Sequence, residues 1–179
     1  ISFICSDSRD VREGCAFIAA KGCNYDGHDY IDYAIRNGAV AIIDADKKAL
    51  ALCADNFYSH PSRKLNLVGI TGTNGKTTTV TLLYNLFRML GYKCGMISTI
   101  ANYVDTRRFE TNNTTPEPII TNLLLSKMVA AGCEYCFMEV SSMGSERDRV
   151  TGLDFKAGIF SNLTHDHLEY HKTIDAYMQ

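Results

Sequence analysis

Short apolar segments alternate with amphipathic segments over the first third of the chain. The apolar segments at residues 16–20 and 39–43 predict two buried strands. Between them, apolar side chains recur at the spacing of one helical face, at Tyr30, Ile31, Ala34 and Ile35. This β-α-β pattern predicts a small α/β unit, which we expect to end near the turn signal His60-Pro61-Ser62.

A second series of strands and helices is predicted after this turn. Strand-like apolar segments lie at residues 65–70, 93–99, 135–140 and 157–160. The helical spacing of apolar residues covers residues 78–90 and 119–131. Because strands that alternate with helices usually form parallel sheets, we predict a mostly parallel sheet with helices on both faces.

A loop rich in glycine and threonine joins the first strand and the first helix of this second series. Its residues are Gly72, Thr73, Asn74, Gly75, Lys76, Thr77 and Thr78. The pattern is a shortened form of the phosphate-binding sequence G-x-x-x-x-G-K-[ST], and a strand precedes it and a helix follows it, as in such loops. Glycines let the backbone wrap around a phosphate, and the amides at the start of the helix point at the anion.

The loop therefore predicts a nucleotide site that uses Mg²⁺. We expect Lys76 to reach the β- and γ-phosphates and Thr77 to offer its hydroxyl to Mg²⁺. The alternative is a turn with a solvated lysine, which the flanking strand and helix disfavour. We predict an α/β fold in which a small N-terminal α/β domain, residues 1–62, precedes a P-loop mononucleotide-binding domain, residues 63–179, whose mostly parallel sheet is truncated.

Composition excludes several other classes of protein. The formal net charge of -2 gives no electrostatic reason to expect nucleic acid or an anionic membrane as a partner. No apolar segment approaches the roughly 18 residues of a transmembrane helix, and the first residues do not resemble a signal peptide. The 7 cysteines are scattered and odd in number, which argues against a disulfide framework. We interpret the lone C-x-x-C pair, Cys133 and Cys136, as buried thiols in a reducing cytosol rather than a zinc site.

Motifs along nearly the whole chain resemble those of the Mur ligase family. The loop at residues 71–78 resembles the ATP-binding loop of that family, which also includes folylpolyglutamate synthetases. Further motifs occur in the family's order and narrow the resemblance to the MurE type. They are Asp7-Ser8-Arg9, Asp26-Gly27-His28, Asn113-Thr114-Thr115-Pro116, Met138-Glu139-Val140-Ser141-Ser142, and Asn162-Leu163-Thr164 followed by Asp166-His167-Leu168-Glu169-Tyr170-His171.

The resemblance implies an ATP-dependent ligase of peptidoglycan synthesis. A MurE-type enzyme joins lysine or diaminopimelate to UDP-N-acetylmuramoyl-L-alanyl-D-glutamate in the bacterial cytoplasm, with Mg²⁺ as cofactor. The substrate's carboxylate takes the γ-phosphoryl group of ATP, and the amine of the amino acid then displaces phosphate from the acyl phosphate. The residues available here leave the choice between lysine and diaminopimelate open. The rival hypotheses are a folylpolyglutamate synthetase and a nucleotide-binding module without turnover.

The resemblance also implies roles for individual residues. Those with catalytic roles are Lys76, Glu139 and His167, and those that hold Mg²⁺ are Thr77, Glu139 and His167. The ATP loop is residues 72–78. Contacts to the UDP-sugar are implied for Ser8 and for the loop of Cys23, Asn24 and Tyr25, within a UDP-sugar-binding domain of residues 1–62. Contacts to the muramoyl-peptide are implied for Asn113, Thr114, Thr115, Ser141 and Arg149.

Elementary chemistry supports these roles but leaves alternatives. Glu139 follows an apolar segment, so we expect it at the carboxyl end of a buried strand, where open α/β sheets bind ligands; alone, it would be interpreted as a surface glutamate. The histidines at 165, 167 and 171 are also compatible with zinc, although we favour a role for His167 alone. Arg149 is either an anion-binding side chain or a solvated surface charge.

The chain departs from the family pattern at three places. Met143 replaces the usual histidine after the paired serines, and Arg147 replaces the usual glutamine, so direct substrate contacts at both positions are in doubt. The segment between Asp46 and Asn56 is short compared with the family pattern and lacks a strand that the first domain of the family has. By the same resemblance, a carbamylated lysine and an amino-acid-binding domain are expected beyond Gln179. We therefore expect residues 1–179 to bind ligands without forming the amide.

Overall fold

The computed structural model describes residues 1–22 and 25–164. In this part of the chain the strands are β1 Phe3–Cys5, β2 Cys15–Ala20, β3 Ala39–Ala45, β4 Asn66–Thr71, β5 Cys94–Ile97, β6 Asn102–Val104, β7 Arg107–Phe109, β8 Tyr135–Glu139 and β9 Ala157–Phe160. The helices are α1 Ile31–Arg36, α2 Lys47–Phe57, α3 Lys76–Met89, α4 Pro118–Ala130 and α5 Ser142–Glu146. Short 3-10 turns lie at Ser8–Asp10, Gly27–Tyr30 and Pro61–Lys64.

The first three strands form a small parallel sheet in the order β1-β2-β3. Strand β2 is central, and Phe17 and Ile18 are fully buried on its opposite faces, in two separate core clusters. The predicted strands of this unit are therefore confirmed. Of the four apolar residues assigned to one helical face, Ala34 is buried and Ile31 packs against the same cluster, but Ile35 is 55% exposed and Tyr30 lies in the 3-10 turn before α1.

Helix α2 occupies the short segment at residues 46–56 and was not predicted. The carboxylate of Asp46 accepts a hydrogen bond from the amide of Ala49 at 2.7 Å and so caps the start of the helix. Leu50 and Ala54, one helical turn apart, are buried against the small sheet. The segment that lacks a predicted strand thus forms the helix that covers one face of this sheet.

A six-stranded sheet follows in the order β7-β6-β5-β8-β4-β9. Strands β5, β8, β4 and β9 are parallel, which confirms the predicted parallel core of the sheet. The short strands β6 and β7 extend it as an antiparallel hairpin that was not predicted. Because β5, β8 and β4 are adjacent and parallel, their carboxyl ends meet at one edge of the sheet.

Helices cover both faces of this sheet, as predicted. On one face, Phe137 of β8 packs in a cluster with Val80 and Tyr84 of α3. On the other face, Met138 packs with Leu125 and other residues of α4. Successive residues of β8 therefore enter different cores, which explains why the whole strand is apolar.

Helix α4 also connects the larger sheet to the small one. Its Ile119 belongs to the same buried cluster as Leu50 and Ala54 of α2. Beyond it, the hydroxyl of Ser62 accepts a hydrogen bond from the amide of Asp154 at 3.0 Å. The Ile119 cluster places the start of α4 beside the small sheet. The predicted domain boundary at residue 62 stays a prediction.

The C-x-x-C pair is buried, as the sequence predicted. Cys133 and Cys136 are buried, free thiols, and burial raises the pKa of each. Among residues 1–22 and 25–164, no group of three or more His, Cys, Asp or Glu side chains is arranged to hold a metal ion. In the same ranges, no helix is long and apolar enough to cross a membrane.

Candidate nucleotide and substrate site

The loop between β4 and α3 requires glycine at its first position. Gly72 has a φ of +127°, and a Cβ atom there would lie 2.2 Å from the Oγ of Ser161 and 2.7 Å from the carbonyl oxygen of Asn162. A side chain at residue 72 would therefore strain the backbone and would also clash with the backbone carbonyl group of Asn162. Gly75, with a φ of +84°, leads into α3 as its N-cap. The backbone thus turns sharply just before the helix amides.

The segment after β9 holds this loop from the side. The amide of Thr73 donates to the carbonyl oxygen of Asn162 at 2.9 Å, and the amide of Asn74 donates to the Asn162 Oδ1 atom at 2.9 Å. In return, Asn162 Nδ2 and Ser161 Oγ donate to the carbonyl oxygen of Asn74 at 3.0 and 2.7 Å. Two loop amides are occupied in this way, so the amides at the start of α3, which have no intrahelical acceptor, are the donors available to a phosphate.

The side chain of Lys76 folds back over the loop. Its Nζ atom donates to the carbonyl oxygens of Gly72 at 2.6 Å and Thr73 at 3.0 Å. These are backbone acceptors that a phosphate oxygen can replace, and a charged acceptor makes a stronger bond. The lysine is therefore already positioned at the mouth of the loop.

Glu139 lies at the carboxyl end of β8, directly opposite the loop. Its side chain is buried, with the residue only 1% exposed. The carboxylate accepts hydrogen bonds from Thr77 Oγ1 at 3.0 Å, from the amide of Thr99 at 2.9 Å and from Thr99 Oγ1 at 3.2 Å. The interpretation as a surface glutamate is excluded by this burial.

Thr77 and Glu139 together form a donor set that fits Mg²⁺. A hydroxyl and a carboxylate oxygen lie 3.0 Å apart, and both residues line the same cavity as Lys76. Mg²⁺ prefers hard oxygen ligands and is typically held by one or two protein groups, with phosphates and water completing its shell. The third predicted ligand, His167, lies outside the described residues, as do the other two histidines of its cluster.

A cavity of about 460 Å³ lies between the loop and the carboxyl ends of β5 and β8. It is lined by Thr73, Asn74, Gly75, Lys76, Thr77, Thr99, Asn112, Asn113, Thr114, Thr115, Glu139, Ser141, Met143, Arg147 and Arg149. This cavity contains all of the residues predicted to contact the muramoyl-peptide, and most of the predicted ATP loop; the other two loop residues, Gly72 and Thr78, are not in its lining. The predicted nucleotide and peptide contacts therefore share one space.

The side chain of Thr115 is engaged by the protein itself. The residue is fully buried, and its Oγ1 atom donates to the carbonyl oxygen of Glu139 at 3.0 Å and accepts from the amide of Ser141 at 3.0 Å. The Oγ of Ser141 in turn caps α5 through the amide of Gly144. In this arrangement the hydroxyl of Thr115 shapes the turn after β8 and is occupied by groups of the protein itself.

A second cavity, of about 580 Å³, lies between the small sheet and the start of α4. Ser8 and Tyr25, both predicted to contact the UDP-sugar, line it, together with Lys47. Cys23 and Asn24 lie outside the described residues. Arg147 and Arg149 line both cavities. The two cavities therefore share a wall that carries two arginines.

Arg149 is held firmly in the wall between the cavities. Its side chain is 12% exposed, so the alternative of a solvated surface charge is excluded. Nη1 donates to the carbonyl oxygen of Thr115 at 2.8 Å, and Nη2 forms an ion pair with Glu117 at the start of α4. The buried Nε atom has no partner among the described residues. A buried donor without a partner is costly, and a ligand oxygen is one way to satisfy it.

The sequence did not identify Thr99, although it makes two of the three hydrogen bonds that residues 1–22 and 25–164 donate to the Glu139 carboxylate. It follows β5, whose Ile97 pairs with Met138 of β8 in parallel register. The signal was a polar residue immediately after an apolar strand, as for Glu139. The departures Met143 and Arg147 also line the first cavity, so both positions face the site in spite of their unusual residues.

Family models match the two parts of the chain. The model described as the Mur ligase middle domain matches residues 70–179. The model described as the Mur ligase family, catalytic domain, matches residues 1–74.

Named relatives are ligases of one kind. The chain is 49% identical to a UDP-N-acetylmuramoyl-L-alanyl-D-glutamate–2,6-diaminopimelate ligase of Cytophaga hutchinsonii, with 100% of this chain and 40% of that protein aligned. It is 44% identical to ligase 1 of the same name from Clostridium acetobutylicum, with 96% of this chain and 39% of that protein aligned. The chain thus spans about 40% of the length of the curated relatives that it matches.

Solved structures agree with these relatives. A structure of a UDP-N-acetylmuramoyl-L-alanyl-D-glutamate–2,6-diaminopimelate ligase superposes with a TM-score of 0.83 at 27% identity, over 98% of this chain and 39% of that one. The MurF ligase of Thermotoga maritima in complex with ADP superposes with a TM-score of 0.61 at 25% identity, over 98% of this chain and 41% of that one.

Proposed function

Since this chain belongs to the Mur ligase family, we propose that it supplies the nucleotide site and the UDP-sugar site of a ligase in peptidoglycan synthesis. The reaction joins 2,6-diaminopimelate to UDP-N-acetylmuramoyl-L-alanyl-D-glutamate at the expense of ATP. The names of the relatives support diaminopimelate over lysine, and they support this ligase over a folylpolyglutamate synthetase. The observation that carries the proposal is the pairing of Thr77 with the buried Glu139 beside Lys76, in the cavity that also holds the predicted peptide contacts.

The proposed chemistry has two steps. The terminal carboxylate of the substrate attacks the γ-phosphorus of ATP, which forms an acyl phosphate and releases ADP. The amine of diaminopimelate then attacks the acyl carbon and releases inorganic phosphate, which leaves an amide. A carboxylate is a poor acyl donor, so phosphorylation supplies the leaving group for the second step.

The residues of the loop bind and orient the polyphosphate. The ammonium of Lys76 exchanges its carbonyl partners for phosphate oxygens, and the first amides of α3 donate to the same anion. Thr77 and Glu139 would hold Mg²⁺, which neutralises charge on the phosphate oxygens. Since Glu139 is buried at a strand end, its carboxylate stays fixed while the ligands change.

The two cavities divide the UDP-linked substrate between them. We propose that the UDP-sugar occupies the cavity lined by Ser8 and Tyr25, and that the peptide reaches the loop past Arg147 and Arg149. The guanidinium of Arg149 offers a buried donor to a carboxylate on this path. On this basis we propose residues 1–62 as the UDP-sugar-binding domain and residues 63–179 as part of the ATP-binding domain. We also propose the bacterial cytoplasm as its location, where buried thiols stay reduced.

The test is an assay of the longer protein that contains this chain. Phosphate release is measured with ATP, Mg²⁺ and UDP-N-acetylmuramoyl-L-alanyl-D-glutamate, in separate reactions with diaminopimelate, lysine or no amino acid. We expect release with diaminopimelate, and mass spectrometry of the UDP-linked product should show the added amino acid. If the protein binds nucleotide but forms no product with either amino acid, the ligase proposal is contradicted and a nucleotide-binding module is supported.

A further inference from the structure

We propose that Thr99 is a positioning residue that links the peptide side of the cavity to the metal side, through a chain of hydroxyls from Thr114 to Thr99 to the carboxylate of Glu139. The inference rests on the proposed function, because it takes Thr77 and Glu139 as the residues that hold Mg²⁺ and Thr114 as a contact of the muramoyl-peptide. It adds a residue that neither the motifs nor the relatives assign.

The sheet brings Thr99 to Glu139. Strands β5 and β8 are neighbours in parallel register, and the pair Ile97 and Met138 lies one residue before Glu139. Both strands therefore end at the same edge, and the chain after β5 passes directly over the carboxylate. This placement depends on the sheet order and not on any local motif.

Thr99 holds both oxygens of the carboxylate. Its amide donates to Oε1 of Glu139 at 2.9 Å, and its Oγ1 donates to Oε2 at 3.2 Å. Thr77 adds one further hydrogen bond, to Oε2. A carboxylate held at both oxygens by one residue cannot rotate without losing a hydrogen bond, so Thr99 fixes the direction in which Glu139 presents its lone pairs to a cation.

The single proton of the Thr99 hydroxyl sets the direction of the chain. Its Oγ1 atom lies 3.1 Å from the Oγ1 of Thr114 and 3.2 Å from Oε2 of Glu139. One hydroxyl donates only once and accepts at its other lone pairs, and a bond to a carboxylate is the stronger one. Thr99 is the donor in both contacts, so Thr114 and Glu139 compete for its one proton, and Thr99 donates to Glu139 when another donor occupies the Oγ1 of Thr114.

This chain of hydrogen bonds couples the binding of the UDP-linked substrate to the binding of Mg²⁺-nucleotide. Thr114 lines the cavity at the predicted peptide contact, and a peptide N–H that donates to its Oγ1 occupies this acceptor, so that the Thr99 proton goes to Glu139. Ordering Thr99 in turn fixes the carboxylate of Glu139, so the UDP-linked substrate and Mg²⁺-nucleotide favour each other. By thermodynamic linkage, each ligand raises the affinity of the other by the same factor.

The test compares four variants of the longer protein. Thr99→Val keeps the shape and the backbone amide but removes the hydroxyl, and Thr99→Ser restores the hydroxyl. Thr114→Val breaks the chain before Thr99, and Thr106→Val makes the same substitution in the exposed turn between β6 and β7. Isothermal titration measures Kd for ADP with Mg²⁺ and with a chelator, each in the presence and absence of UDP-N-acetylmuramoyl-L-alanyl-D-glutamate, and thermal unfolding checks that each variant folds.

We expect Mg²⁺ to tighten ADP binding in the parent, and the UDP-linked substrate to tighten Mg²⁺-ADP binding further by about fivefold or more. Thr99→Val should lose most of both effects while its affinity for ADP in chelator stays unchanged. Thr114→Val should lose only the effect of the UDP-linked substrate. Thr99→Ser and Thr106→Val should resemble the parent.

Three results overturn the inference. The first is a Thr99→Val protein with the Mg²⁺ dependence and the coupling of the parent. The second is an equal loss of affinity with Mg²⁺ and with chelator, which indicates a purely structural role. The third is a parent in which the UDP-linked substrate leaves Mg²⁺-ADP affinity unchanged.

A parent whose ADP affinity does not depend on Mg²⁺ contradicts the proposed metal site itself. This result therefore distinguishes failure of the proposed function from failure of the hydrogen-bond chain. If Thr99→Val does not fold, Thr114→Val measured with the UDP-linked substrate at saturation decides whether the coupling passes through these hydroxyls, because saturation removes the effect of a weaker peptide contact.

Discussion

The hydroxyl of Thr77 donates a hydrogen bond to the carboxylate of Glu139 across 3.0 Å, between residues 62 positions apart in the chain. One residue belongs to the first turn of α3 and the other ends β8. Two oxygen donors of this kind, beside a lysine and a helix N-terminus, combine the features that a metal-bound polyphosphate needs. The pairing therefore explains the apolar strand, the buried acid and the loop as parts of one site.

Glu139→Gln should weaken the Mg²⁺ dependence of nucleotide binding more than binding itself. The amide keeps the shape of the side chain but lacks the charge that the cation prefers. Titration of the longer protein with ADP should show a parent-like Kd in chelator and a loss of about tenfold or more in Mg²⁺. Glu134→Gln is the matched control, because Glu134 is exposed just before the other end of β8. Equal losses with and without Mg²⁺ would show that Glu139 is not a metal ligand.

Lys76→Ala should abolish stabilisation by nucleotide. Lys76 is the only lysine or arginine in the loop at residues 72–78, and its ammonium sits over the loop carbonyls. For the parent, Mg²⁺-ATP at about 100 times Kd should raise the free energy of unfolding by about 2.7 kcal/mol. The variant should show little of this gain, whereas Lys93→Ala, an exposed lysine before β5, should keep it. Equal gains in Lys76→Ala and the parent would place the nucleotide elsewhere.

The sequence predicted the parts of the site that are local in the chain. The phosphate loop follows from residues 72–78 alone, because glycines, a lysine and a threonine are adjacent between a strand and a helix. Glu139 was assigned through the resemblance of its motif to the family, and its place at the end of an apolar segment agreed with that role. Long apolar segments also predicted β4, β8 and α4 to within about two residues.

The missed features depend on which segments become neighbours. Thr99 has no local motif, and its role appears only when β5 lies beside β8. The partners of Arg149, the carbonyl of Thr115 and the carboxylate of Glu117, lie 34 and 32 positions away. Helix α2 was missed because two of its four buried residues are alanines and a third is Asp55, so they give little contrast in apolar periodicity. The strands β6 and β7 have three residues each, too few for a period to appear.

Gly72→Ala should destabilise the protein and distort the phosphate loop. A Cβ atom at this φ of +127° would lie 2.2 Å from Ser161 Oγ and 2.7 Å from the Asn162 carbonyl oxygen. We expect a loss of about 1–3 kcal/mol in the free energy of unfolding from the strained backbone, with a further loss from the clash. Denaturant unfolding should be compared with Gly91→Ala, which has a φ of +94° but no atom within 4 Å of its Cβ. If Gly72→Ala and Gly91→Ala lose the same free energy of unfolding, the clash of the added Cβ atom with Ser161 and Asn162 has no energetic cost.

The buried cysteines should resist alkylation in the folded protein. Burial raises the pKa of the Cys94 thiol to about 11, and it also raises the pKa of Cys5, Cys133 and Cys136. The thiolate is the reactive form, so at neutral pH these four should react more slowly than the half-buried Cys53 by about tenfold or more. Mass spectrometry after iodoacetamide treatment identifies the labelled residues, and labelling in denaturant is the control. Fast labelling of Cys136 in the folded protein would contradict its burial.

His28 should make the small sheet more stable at low pH than at high pH. Its Nε2 atom contacts Asp44 at 2.8 Å and its Nδ1 atom contacts Asp26 at 2.5 Å, so one imidazole joins the turn at Gly27–Tyr30 to the end of β3. Hydrogen bonds to Asp44 and then to Asp26 raise the pKa of His28 above its ordinary value. Because the folded pKa is the higher one, the stabilisation is complete below about pH 6.5, the unfolded value, and is lost as the pH rises through the folded value.

Two measurements check this sign. NMR titration of the His28 ring should give a pKa above about 6.5. The difference in free energy of unfolding between the parent and His28→Gln should be largest below that pH and should shrink as the pH rises. His60→Gln is the comparison, because His60 pairs with the single carboxylate of Asp55 and bridges no second acid in the described residues. A difference that grows with pH would contradict the bridge, since it would require the neutral imidazole to be the form that the two carboxylates hold.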